Sequence, residues 1–121
     1  MNSFTIELTS EYADWWRYNV RILCELQDSA GRRTGFASAS AKDDRGCCVL
    51  TTMPCDRLRT FIYVIPDQLP VDRVVGEYPD FEAELRVSCG KRIIADERVT
   101  IGRWGGASIA RICEADRITE V

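Results

Sequence analysis

Apolar and polar side chains alternate along most of this chain, and a period of two commits it to β-strands rather than helices. Phe4, Ile6 and Leu8 alternate with Ser3, Thr5, Glu7 and Thr9. The clearest stripe follows, with Tyr18, Val20, Ile22, Cys24 and Leu26 on one face and Arg17, Asn19, Arg21, Glu25 and Gln27 on the other. Leu23 alone interrupts the polar side. Phe81, Ala83, Leu85, Val87 and Cys89 repeat the pattern, and Gly90-Lys91 reads as a tight hairpin into a strand from Arg92 to Ile101. Thr34 to Ser40 is a weak strand of small residues around Phe36, suited to a sheet edge or to a place beneath a neighbouring loop. Arg59 to Ile65, RTFIYVI, is almost continuously apolar, the pattern of a strand covered on both faces.

Turn chemistry separates these runs. Asp28 to Gly31 supplies an acceptor side chain and a glycine for positive φ, and Lys42 to Gly46 makes the next turn. The stretch 66–80, rich in proline and valine, reads as a long return connection packed on the sandwich. After Gly105-Gly106, Ser108 could cap a short C-terminal helix carrying Ile109, Ile112 and Cys113, or the tail could add one more strand. The expected fold is all-β: an antiparallel β-sandwich of seven to eight strands, immunoglobulin-like or Greek-key, in a single domain over residues 1–121.

A chain of 121 residues buries enough surface for one core without metal or disulfide staples. The six cysteines are therefore read as free, mostly buried thiols, with Cys24 and Cys89 in the core. Val87 stands where an immunoglobulin domain carries its corner tyrosine, which argues against a Cys24–Cys89 bridge. Cys47 and Cys48 are neighbours whose side chains point to opposite faces of a strand, so they cannot share one zinc. No C-x-x-C spacing occurs, and no metal site or cofactor is expected. The net charge of −3 offers no overall attraction to nucleic acid. The chain lacks an apolar run long enough for a membrane span and begins without a basic, apolar leader pattern, so a cytoplasmic location is expected.

Histidine is absent, which removes the commonest general base, the usual nucleophile partner and the commonest metal ligand together. Candidate sites are therefore sought in the aromatics and the loops. Trp16 shares parity with Tyr18 and Val20 and is expected in the core, leaving Trp15 and Trp104 as exposed candidates for stacking or partner contact. If successive strands run antiparallel, one end of the sandwich collects Glu11, Asp14, Asp43, Asp44, Asp67, Asp72, Glu77 and Asp80 against Lys42, Arg45 and Arg73. The other end collects Arg32, Arg33, Arg57, Arg59, Lys91 and Arg92 against Asp28 and Asp56, a candidate anion- or partner-binding cluster. The leading expectation is a non-catalytic protein-interaction module, binding a partner or itself through loops or a strand edge. A loop-end site for calcium or carbohydrate is the alternative, and a small carboxylate enzyme comes third.

Overall fold

The computed structural model describes residues 2–40, 47–67 and 79–121. Its strands are β1 (Phe4–Thr9), β2 (Tyr18–Gln27), β3 (Arg33–Ser40), β4 (Cys47–Thr51), β5 (Arg57–Pro66), β6 (Phe81–Cys89), β7 (Arg92–Ile101), β8 (Ala107–Glu114) and β9 (Arg117–Glu120). They form a four-stranded sheet in the order β4-β1-β6-β7 and a five-stranded sheet in the order β3-β2-β5-β8-β9. Every pairing is antiparallel. This is an all-β sandwich with the crossed connectivity of Greek-key folds.

Nine strands appear among the described residues rather than seven or eight, because the tail contributes two. Residues 107–114 pair with β5 along eight positions, from Val64–Ala107 to Arg57–Glu114, so they extend as a strand and no C-terminal helix forms. A helix there would leave the backbone of β5 unpaired along one side.

The alternation read from the sequence sets the core. Phe4, Ile6, Leu8, Leu85 and Val87 from one sheet meet Val20, Ile22, Leu58, Ile62 and Val64 from the other, all essentially fully buried. Each such side chain contributes about 1.5–3 kcal/mol by leaving water. Arg111 on β8 joins the sheets along one open side. Its guanidinium donates to both carboxylate oxygens of Glu97 on β7, at 2.6 and 3.4 Å.

The turns sort by end as antiparallel alternation requires. Asn2 bridges Cys55, the Asp56 amide donates to the Gln27 carbonyl, and the Gly90 amide donates to the Ser3 carbonyl. The turns 28–32, 52–56 and 90–91 therefore share one end. In the first of them the Asp28 carboxylate accepts the amides of Ala30 and Arg32, both at 2.9 Å, while Gly31 takes a φ of 82°. Those bonds, the Arg32 amide foremost, hold the Asp28 carboxyl below its usual pKa.

Candidate interaction surface

The outer face of the five-stranded sheet carries four exposed large apolar side chains, Leu23, Phe36, Tyr63 and Ile65. Leu23, expected to be an isolated break in a polar face, lies directly opposite Phe61, and Glu25 lies opposite both Arg59 and Phe36. Leu23 is 42% exposed and Phe36, on the edge strand β3, is 68% exposed. Tyr63 and Ile65 continue the apolar line along β5. Leu23, Phe36, Phe61, Ala37 and Ser38 line a shallow groove of ≈ 450 Å³.

This corrects the reading of RTFIYVI as a strand covered on both faces. Leu58, Thr60, Ile62 and Val64 point into the core, but Phe61, Tyr63 and Ile65 point outward and are half-buried or exposed. A sandwich of two sheets covers each strand on one face only, and the apolar residues on the other face stay in contact with water.

Arginines frame the groove. The Arg33 guanidinium lies over the Phe36 ring at 4.9 Å, and that of Arg59 lies over Phe61 at 5.6 Å. Each stacked pair combines an apolar plane with a cation, a chemistry enriched in protein–protein contacts. Outward positions of β3, β2 and β5 carry Arg21, Arg33, Arg57 and Arg59 against the single carboxylate Glu25, whose Oε1 accepts a bond from Gln27 at 3.2 Å.

The residues singled out in the sequence therefore separate. Arg33, Arg57 and Arg59 lie within strands of the five-stranded sheet rather than on loops. Arg32 stays in its turn, paired with Asp28 at 3.3 Å, while Lys91 and Arg92 belong to the hairpin of the opposite sheet. The turns that neighbour these residues share one end, but the residues themselves are divided between the two sheets. Of the acidic-end residues, Lys42, Asp43, Asp44, Arg45, Asp72, Arg73 and Glu77 lie outside the described residues.

The tryptophan assignment is reversed. Trp15 is 5% exposed and Trp16 is 46% exposed. Both sit on a 3₁₀ turn, Trp15–Arg17, where the strand parity that would bury Trp16 does not extend. Trp15 joins Tyr18 at 6.0 Å and Phe81 at 5.9 Å, while Tyr12 stacks on Phe81 at 4.2 Å. The Tyr18 hydroxyl donates to the Arg103 carbonyl at 2.6 Å, and the Arg103 guanidinium lies 4.3 Å over Tyr12. This aromatic plug closes the end of the core opposite the turns 28–32, 52–56 and 90–91, and Trp104 beside it is half-buried. Burial, with Asp14 and Asp80 nearby, pushes the Tyr18 hydroxyl up to about 12.

All six cysteines are thiols rather than disulfides, and all but Cys47 are buried. Cys24 on β2 and Cys113 on β8 flank the Thr60 hydroxyl of β5, at 3.5 and 3.8 Å. Burial pushes Cys24 up to about 11 and Cys113 up to about 12, which keeps both protonated and weakly nucleophilic at neutral pH. Among the described residues no three Cys, Asp or Glu side chains come close enough to hold a metal ion. No helix of the described residues is long and apolar enough to cross a membrane.

Fold and surface together define a two-sheet antiparallel sandwich with one apolar, arginine-framed face. Compared with known proteins, the chain matches no family model, no curated protein and no solved structure.

Proposed function

We propose that this protein is a non-catalytic interaction module of the cytoplasm that binds a protein partner through the outer face of its five-stranded sheet. The observation that carries the reading is the gathering of exposed Leu23 and Phe36 with half-buried Phe61 around one groove. Scattered exposed apolar residues are ordinary on a protein surface, but a contiguous aromatic patch rimmed by charge is the anatomy of a binding site. Arginine and aromatic side chains also dominate the few positions that carry most interface energy. The buried, protonated thiols and the lack of histidine in the chain favour binding over nucleophilic or acid–base chemistry.

Photo-cross-linking in the cell of origin tests this. A photoreactive phenylalanine derivative at position 36 should give a discrete adduct with one other protein, and the same derivative at Glu7, on the outside of the opposite sheet, should not. Equal labelling from both positions, or none from position 36, overturns the proposal. Sedimentation of the purified chain over a range of concentrations separates a foreign partner from self-association.

A further inference from the structure

Resting on that reading, we infer that the partner supplies an extended, acidic and apolar segment that adds as a strand to the free edge of β3. Three features of β3 support this. Among the described residues it ends its sheet and pairs only with β2, which leaves the other side of its backbone without a strand neighbour there. Arg33 and a register shift in the pairing with β2 guard its first residues, but from Thr34 to Ser40 it carries neither a charged residue nor a proline, two devices that ordinarily protect an edge from pairing. Beyond Arg33 its side chains other than Phe36 are small, which lets another backbone approach closely.

The groove and its arginines then specify the segment. One face of an added strand falls beside Thr34, Phe36 and Ser38, next to the groove formed with Leu23 and Phe61. A large apolar side chain from that face fills the groove, while the alternate face meets the small residues Gly35, Ala37 and Ala39. The outward charges of these three strands, Arg21, Arg33, Arg57 and Arg59 against Glu25, favour carboxylates around that apolar residue. Arg33 and Arg59 form no ion pair among the described residues; their guanidiniums lie over aromatic rings, and their N–H groups, which lie in the guanidinium plane, are left to donate. Backbone pairing supplies affinity, and the groove with its arginines supplies selectivity.

The test is selection from a library of short random peptides displayed on phage against the purified chain, with the enriched sequences synthesised as probes. Apolar residues alternating with Asp or Glu should dominate, and binding should slow amide exchange across Thr34–Ser40. The double substitution Arg33→Glu and Arg59→Glu should weaken the probes about tenfold or more, and Phe36→Thr should weaken them as well, each with an unchanged thermal melt. Peptides without acidic enrichment, peptides that protect only other strands, or probes that bind the charge-reversed protein equally well overturn the inference. So does a stable homodimer paired through β3. Failure to enrich any peptide also overturns strand addition, while a discrete cross-link from position 36 would leave the broader interaction reading standing.

Discussion

Leu23 on β2 and Phe61 on β5 oppose each other directly in the antiparallel register, on the outside of their sheet rather than in the core. Their immediate neighbours Ile22 and Ile62 are likewise paired, and fully buried. Two adjacent apolar pairs thus stand on opposite faces of one sheet, and only one has a sheet packed over it.

That difference predicts unequal costs of substitution. Ile62→Ala removes core contacts and leaves a cavity, so it should cost about 2–5 kcal/mol. Leu23→Thr and Phe36→Thr leave already solvated positions and should each cost less than about 1 kcal/mol. Urea unfolding of the three variants measures this, and comparable losses would mean that the outer face is covered.

Gly106 should tolerate no side chain. Its φ is 73°, and an added Cβ would run into the Val64 carbonyl oxygen of the neighbouring strand. Gly106→Ala combines backbone strain with a clash where β8 begins to pair with β5, and a loss of about 3 kcal/mol or more is expected. At Gly35, by contrast, an added Cβ meets nothing within 4 Å. Gly35→Ala should be neutral or slightly stabilising, because it restricts the unfolded chain. The two thermal melts, compared side by side, check both halves.

The two adjacent tryptophans should behave as opposites in solution. Iodide should quench the fluorescence of a Trp15→Phe variant, which retains Trp16, far more than that of a Trp16→Phe variant, which retains Trp15. Trp15→Ala should cost about 3–5 kcal/mol by opening the aromatic plug, whereas Trp16→Ala should be mild. Equal quenching of the two variants would refute the assignment.

The buried thiols make stability fall at alkaline pH. A cysteine in the unfolded chain titrates at about 9.0, while burial raises the folded Cys24 and Cys113 to about 11 and about 12. Between those values the unfolded chain loses protons that the folded chain keeps, so this contribution is complete below pH 9 and declines above it. Tyr18, raised from 10.0 to about 12, acts in the same direction. The melting temperature should drop as pH rises from about 9 to 10.5, and more gently in a Cys24→Ala, Cys113→Ala variant. At neutral pH a thiol reagent should modify Cys47 well before the rest, and should find six thiols after denaturation.

Much of the fold was legible because strand alternation is local. The stripes Phe4-Ile6-Leu8, Tyr18 to Leu26 and Phe81 to Cys89 each face the core as their parity requires. The edge position of β3 was one of the two placements that its small residues suggested. Parity misled where the backbone stopped being extended: on the 3₁₀ turn it exchanged Trp15 for Trp16. The apolar face of β5 was visible as RTFIYVI, but a run of residues does not say which of its two sides will be covered.

By itself the sequence determined that the chain folds into strands, which side of most strands is buried, and that histidine chemistry is absent, all consequences of residue type and a two-residue repeat. Only the tertiary structure decided which strands lie side by side. That choice brings Leu23, Phe36 and Phe61, from three separate strands, to one groove, and sends Lys91 and Arg92 to the other sheet. Pairing of distant strands rests on the cooperative packing of two faces across a shared core, and no local pattern encodes it.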